Sequence, residues 1–273
     1  MLTVIVPASN EADLIASCIK ALLLSTFAVS RNWQLIIVAN GCQDDTATIA
    51  RSFIAEAQNA NIELQVLDLE RGDKINAINE GEAHAKGEMR VYIDADVVVS
   101  PALLDQLVGA LTAQKAVYAT GTLNIAPPRT WTTRTYARFW SRLPFVVDGA
   151  AGCGVFAVNG AGRARWAEFP PVISDDTFVR LHFGPSERVN VPAAFTWPMV
   201  EGLANLVRVR RRQDKGVQEI ASRYPELIVN EAKSRPSLPR LILTDPFGFG
   251  LYALVAFLTK LPGLSSQRWA RGR

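Results

Sequence analysis

The chain has 273 residues, 49% of them hydrophobic, and a formal net charge of +3. This length and composition suit a folded α/β protein with a sizeable core, and they exclude a disordered chain or a wholesale polyanion binder. The three cysteines, Cys18, Cys42 and Cys153, lie far apart without metal-ligand spacing, which predicts a reducing, cytoplasmic setting and no disulfide framework.

Met1 leads directly into an apolar run, so no secretory signal is expected. Residues 2–6 read as a buried strand, followed by a polar turn, Pro7-Ala8-Ser9-Asn10-Glu11, and by a helical pattern through Ile15, Cys18, Ile19 and Leu22. Residues 33–38 give a second strand. The polar loop 39–46 then opens a helix through Ile49, Ala50, Phe53 and Ile54. A third strand covers 64–67, and Arg71-Gly72-Asp73-Lys74 leads into a helix through Ile75 and Ile78. Residues 91–99 read as a fourth buried strand carrying Asp94 and Asp96, and 101–113 as the next helix. Strands and helices alternating at this spacing predict a parallel sheet covered on both faces. In such sheets ligands sit at the carboxyl ends of the strands. Asn10, Glu11, Asn40, Asp44, Asp45, Lys74, Asp94 and Asp96 are therefore expected to share one edge.

After residue 115 the pattern changes. Residues 117–121 read as a strand, Pro127-Pro128-Arg129 as a break, and 131–145 as an aromatic, basic helix. A glycine-rich stretch, 149–154, precedes a strand at 155–158; Gly152 and Cys153 either let an acceptor approach the backbone or form a tight turn. Ser174 is a candidate N-cap that puts Asp175 and Asp176 in the first turn of a helix, where its dipole favours them. The basic run 208–215 reads either as a solvated face or as a source of arginines for a diphosphate. Pro236 and Pro239 mark a linker. The apolar run 247–258 is too short for a bilayer span, which needs about 20 residues. It packs on the domain or lies in a membrane interface, with Lys260, Arg268, Arg271 and Arg273 meeting anionic headgroups; the second reading is preferred. The expected organisation is a domain over 1–235, with a nucleotide-binding half (1–114) and an acceptor half (115–235), and an extension over 236–273.

Two acids at a strand end are costly to bury alone. They either cap the turn before Ser100-Pro101 or hold a divalent cation with a phosphate. Carboxylates, asparagines and a lysine in one cleft suit a substrate carrying a diphosphate, with Mn²⁺ or Mg²⁺ as the hard cation. A separate carboxylate, for which Asp175 and Asp176 are candidates, would take a proton from an attacking hydroxyl.

The motifs together resemble family 2 glycosyltransferases over about residues 2–215. Val4-Ile5-Val6-Pro7-Ala8-Ser9-Asn10-Glu11 is similar to the family's V-I-P-x-Y-N-E start, and 39–46 to its D-D-G-S-x-D-x-T loop. Gly72-Asp73-Lys74-Ile75-Asn76-Ala77-Ile78-Asn79 resembles G-K-x-x-A-L-N, Asp94-Ala95-Asp96 the metal-binding D-x-D, and Asp175-Asp176 the E-D pair. Arg210-Arg211-Arg212-Gln213 loosely resembles the arginine-bearing late motif.

The resemblance implies an α/β fold of the GT-A type: a Rossmann-like, mostly parallel central sheet flanked by helices, with a C-terminal helical extension. It further implies an inverting transfer from a nucleoside-diphosphate sugar to a saccharide, lipid-linked or small-molecule acceptor. On that reading Pro7, Ala8, Asn10, Glu11, Asn40, Asp44, Lys74, Asp94 and Ala95 bind the nucleotide sugar. Asp96 is the direct metal ligand, with Asp94 at the ribose or a metal-bound water. Asp176 is the base, Gly152, Cys153 and Asp175 lie on the acceptor side, and Arg210 and Arg212 clamp the diphosphate. The expected location is cytoplasmic, peripheral on the inner face of the membrane. The chain departs from the family pattern at Ser9 (family Tyr), at Ala39 and Asn40 (Asp-Asp) and at Asp175 (Glu), and it lacks the full Q-x-x-R-W of processive synthases. The rival readings are a sugar nucleotidyltransferase, whose phosphate loop is missing after the first strand, and an inactive GT-A-like binding protein. A dinucleotide oxidoreductase is disfavoured because no G-x-G-x-x-G follows the first strand, and no nucleic-acid partner is expected.

Overall fold

The computed structural model describes residues 1–29, 32–147, 150–231 and 238–261. The chain opens with β1 (Leu2–Ala8), α1 (Ile15–Leu23), β2 (Trp33–Asn40), α2 (Thr46–Ser52), α3 (Ile54–Asn59) and β3 (Ile62–Leu69). It continues through α4 (Lys74–Ala83), β4 (Met89–Ile93), β5 (Val98–Val99), α5 (Leu103–Leu111) and β6 (Tyr118–Ile125). Next come α6 (Trp131–Trp140), α7 (Pro144–Val147), β7 (Val155–Val158), α8 (Gly160–Arg163), α9 (Asp175–Arg180) and β8 (Arg188–Trp197). The last helices are α10 (Leu203–Arg223), α11 (Leu238–Thr244) and α12 (Pro246–Leu258).

Two compact units divide the chain. The first comprises 1–124, 152–171 and 182–197 and carries one sheet in the order β3-β2-β1-β4-β7-β6-β8-β5. Its first four strands are parallel, with Ala8 opposite Ala39 and Asn40 opposite Leu69. β1 and β2 are buried along their whole length, as strands covered on both faces must be. Leu2, Val4, Val6, Leu35 and Ile37 pack in one cluster with residues of α1 and α5, and Ile36 and Val38 pack with Ala77 of α4. Buried Gln34 accepts a hydrogen bond from Thr3 Oγ1 (2.9 Å) and donates to the His84 carbonyl (3.0 Å).

The parallel order ends at β4, because β7 pairs antiparallel with β4 and with β6. The expected continuous strand over 91–99 does not form. It stops at Ile93, and Val98–Val99 leaves to pair antiparallel with β8 at the opposite edge of the sheet. Asp94-Ala95-Asp96 is consequently a turn between two strands, with the Val97 N–H closing on the Asp94 carbonyl at 3.1 Å.

The second unit comprises the described parts of 125–151, 172–181 and 198–273 and is helical. α6 and α12 pack through Phe139 against Phe249 and Tyr252, and through Tyr136 stacked on Tyr252 with ring centroids 5.6 Å apart. Buried Asp245 receives both arms of Arg138 at 2.8 Å and caps α12 by accepting from the Gly248 N–H. That guanidinium, with the Gly248 bond, holds the Asp245 carboxyl below its ordinary range against the opposing effect of burial. The expected linker proline, Pro239, lies within α11, whereas Pro236, Arg268, Arg271 and Arg273 fall outside the described residues. The apolar run 247–258 is helical and packs on its own unit along one side.

Candidate functional site

The loops after β1, β2, β3 and β4 leave the same edge of the sheet, as parallel pairing in register requires. The first two are sewn together. The Glu11 N–H donates to Thr46 Oγ1 (2.7 Å), the Ala12 N–H to Asp44 Oδ2 (3.2 Å) and the Gln43 N–H to Asn10 Oδ1 (2.6 Å). Asp44 also accepts from both the N–H and the hydroxyl of Thr46. Asn10 sits at φ +50°, a left-handed conformation that asparagine tolerates. Asn40 is buried beneath this loop, and its amide donates to the Ala8 carbonyl at 2.8 Å. Asn10, Asn40 and Asp44 are thus gathered with Pro7 and Ala8 at the ends of β1 and β2, where their side chains hold loop to loop.

The third loop touches the second. The Gly41 N–H donates to the Leu69 carbonyl (2.7 Å), and Gly41 lies against Gly72. Asp73 caps α4 by accepting from the Ile75 and Asn76 N–H groups, which fixes Lys74 at the first position of the helix. From there the Lys74 ammonium reaches Asp94 Oδ1 at 3.0 Å. The Asp94 N–H donates to the Gly154 carbonyl (2.9 Å), so the Gly152-Cys153-Gly154 stretch lies directly beside the acid-bearing turn. Gly152 and Gly154 have φ of +67° and +77°, and Cys153 between them is half-buried.

The acids share a buried neighbour in Cys18. Burial pushes the Cys18 thiol far up, and Asp96, Asp94 and Glu11 push it further in that order. All three carboxylates thus act on that buried thiol, and Lys74 pairs with one of them, Asp94. Among the described residues no group of three or more His, Cys, Asp and Glu is arranged to hold an ion alone. Mg²⁺ and similar cations carrying a phosphate need only one or two carboxylates, the remaining ligands being phosphate oxygens and waters. Asp94 and Asp96 fit that requirement.

The other expected residues belong to the second unit. Asp175 is buried and Asp176 half-buried, both in the first turn of α9. The Ser174 side chain makes no cap bond; instead Asp176 Oδ1 accepts from the Thr177 N–H at 2.7 Å. The basic run lies inside α10 and is largely engaged within its own unit. Arg210 bonds Asp214 (3.0 Å) and lies over Tyr252. Burial lowers its pKa, but Tyr252 and Tyr136 outweigh that and raise it. Arg211 donates to the carbonyls of Leu258, Thr259 and Leu261, closing the end of α12. Arg212 lies half-buried beside it.

Three residues escaped the sequence reading. Cys18 lies under Asp94, and its only signal was its place on the apolar face of α1. Thr46, the last letter of the D-D-G-S-x-D-x-T-like loop, joins the first two loops. Glu82 of α4 is half-buried between Arg90 (3.1 Å), Arg163 (2.8 Å) and the Tyr92 hydroxyl (2.6 Å), tying α4 to β4 and α8. Burial first, and then Glu82, raise the Tyr92 hydroxyl pKa well above its ordinary value.

A mixed α/β sheet with these loops at the carboxyl edge of its parallel half is the GT-A glycosyltransferase fold. A mannosyltransferase from Pyrobaculum calidifontis, solved with GDP-Man and Mn2+, superposes with a TM-score of 0.60 at 20% identity, covering 96% of this chain and 75% of that one. Glucosyl-3-phosphoglycerate synthase from Mycobacterium tuberculosis, solved with Mn2+, UDP and glucosyl-3-phosphoglycerate, gives 0.55 at 18% identity over 82% and 79% of the two chains. The description of glycosyl transferase family 2 matches residues 3–163, and the chain belongs to that family. Among curated relatives, glycosyltransferase AglE of Haloferax volcanii is 33% identical over 94 residues, 34% of this chain and 30% of the relative. An undecaprenyl-phosphate 4-deoxy-4-formamido-L-arabinose transferase of Enterobacter sp. is 26% identical over 141 residues, 52% of this chain and 42% of the relative. These alignments span well under half the length of either relative.

Proposed function

We propose that the chain is an inverting glycosyltransferase that moves a sugar from a nucleoside-diphosphate sugar to an acceptor hydroxyl, with Mn²⁺ or Mg²⁺ on the diphosphate. The observation that carries this reading is the Asp94-Ala95-Asp96 turn after β4, with Asp94 held by Lys74 at 3.0 Å. The Mn2+ complexes of two structural neighbours support it. A bound divalent ion would neutralise the charge that develops on the leaving nucleoside diphosphate. Asp96 would be its direct ligand, and Asp94 would meet the ribose or a water on the ion. Lys74 offsets part of the surplus negative charge. Asn10, Asn40 and Asp44 shape the loop that receives the nucleotide, alongside Pro7, Ala8, Glu11 and Ala95.

Asp176 takes the proton of the acceptor hydroxyl as its oxygen bonds to the anomeric carbon. The bond from that carbon to the diphosphate breaks, and the electron pair leaves with the nucleoside diphosphate. Asp175, Gly152 and Cys153 are assigned to the acceptor side. Arg210, which also bonds Asp214 and lies over Tyr252, and Arg212 are assigned to the clamp on the diphosphate. The acceptor favoured by the apolar C-terminal helix is lipid-linked, with the enzyme peripheral on the cytoplasmic face of a membrane. The undecaprenyl-phosphate 4-deoxy-4-formamido-L-arabinose transferases among the relatives support that class.

A thermal-shift panel of nucleoside diphosphates and nucleotide sugars, with and without Mn²⁺, tests the proposal. One nucleotide is expected to stabilise the chain only with metal, by about 2.7 kcal/mol at a hundredfold excess over its Kd. Calorimetry on Asp96→Ala is expected to show nucleotide binding that has lost its metal dependence. Stabilisation by no nucleotide, or unchanged Mn²⁺ dependence in the variant, overturns the assignment.

A further inference from the structure

We propose that the outward face of α12 is a docking surface for an anionic lipid bilayer, which rests on and deepens the lipid-linked reading of the acceptor. The helix is apolar on two sides. Its inner side, with Phe249, Tyr252 and Val255, packs within the second unit. Its outer side carries Phe247, Leu254 and Phe257, followed by Leu261, at 78%, 44%, 59% and 42% exposure. Their spacing, together with exposed Gly250, is that of a single row along a helix. Thirteen residues cannot cross a bilayer, and no described helix is long and apolar enough to do so. A helix of this kind lies along the interface, with its apolar row among the acyl chains.

The surrounding charge selects the occupant. α6 and the two residues after it, 131–142, contain Arg134, Arg138 and Arg142 and no acid. Arg138 and Arg142 both reach Asp245 at the start of α12 while remaining about half exposed, so cations flank the head of the apolar row. Lys260 is exposed at the other end. Asp245, the one acid between 238 and 273, is buried and already paired. A second copy of this basic face would meet like charge. Anionic headgroups complement it, and each nearby Lys or Arg strengthens the attraction.

Co-sedimentation of the full chain with phosphatidylcholine vesicles, with and without phosphatidylglycerol, tests the proposal. The chain is expected to bind the anionic vesicles and to bind neutral ones at least about tenfold more weakly. The double variant Leu254→Glu with Phe257→Glu should lose at least about tenfold in vesicle affinity, while its nucleotide thermal shift without vesicles stays as in the parent. Gly250→Leu, which adds an apolar side chain where nothing lies within 4 Å, should tighten binding, and it carries the test if the double variant misfolds. No vesicle binding, equal binding to both lipids, or variants indistinguishable from the parent overturns the proposal. So does a dimer in sedimentation velocity that the double variant abolishes. A missing nucleotide shift alongside intact vesicle binding would sink the transferase reading and leave this surface standing.

Discussion

Gly41 shows how single positions shape the nucleotide edge. Its φ is +59°, and a Cβ there would come within 2.5 Å of the Gly72 nitrogen, so a side chain meets both backbone strain and a backbone collision. Gly41→Ala is expected to destabilise the chain by about 1–3 kcal/mol in urea unfolding and to weaken nucleotide binding, because the second and third loops must separate. Asp176 makes a different test. Asp176→Asn keeps the size of the side chain and removes its basicity, so turnover should fall by about 10² to 10⁴ with nucleotide binding nearly intact. Normal turnover would remove Asp176 from the base role. The acids of the β4 turn were legible in the sequence because a hydrophobic run delivers them to a strand end. Cys18 was not, since it meets the Asp94 carbonyl across 76 residues of chain and its local pattern is that of any buried helical residue.

Among the elements, α4 does most to position the site. Asp73 caps its start, which sets Lys74 against Asp94, and Glu82 near its end binds Arg90, Tyr92 and Arg163. Glu82→Ala would leave two mostly buried guanidinium groups without their shared carboxylate, at a cost of about 3–5 kcal/mol. Denaturant unfolding should register that loss, and the Mn²⁺-dependent nucleotide shift should shrink with it. A cost under about 1 kcal/mol would mean that the network is replaced by water. Strand and helix existence through α5 follows from apolar periodicity. The break inside 91–99 does not, because Val97, Val98 and Val99 have the same strand preference whether they extend β4 or pair with β8 across the sheet. The arginines of α10 illustrate the same limit. Their run reads as a surface or a clamp, and the contacts of Arg210 and Arg211 with Tyr252, Asp214 and the end of α12 are visible only in the fold.

For the molecule as a whole, each unit contains a carboxyl group with a strongly lowered pKa. Glu187 falls from an ordinary 4.5 to about 2, chiefly through its hydrogen bonds with Arg165. At Glu201 burial pushes the other way, but the Thr130 hydroxyl and the N–H groups of Arg129 and Thr130 outweigh it and bring the value to about 2. Both folded values lie below the unfolded one, so the unfolded chain binds more protons in this range. The stabilisation is fully present above pH about 4.5 and is lost as pH falls toward about 2. Thermal unfolding followed down through that window should show Tm dropping, with a shallower drop in Glu187→Gln. An unchanged acid limb in that variant would refute the contribution.

The sequence by itself determined the α/β class, the parallel first half of the sheet and the set of loops that share its carboxyl edge. Apolar periodicity and strand-to-helix order act locally, and parallel pairing then leaves the loops no other edge. Only the tertiary structure decided that β4 ends before Asp94 and that the later strands run antiparallel. It also decided that α12 packs through one side and exposes the other, and that Asn40 and Arg210 are tied into the fold. Those outcomes depend on partners distant in the chain, where burial and hydrogen-bond geometry choose between arrangements that local preference leaves equal.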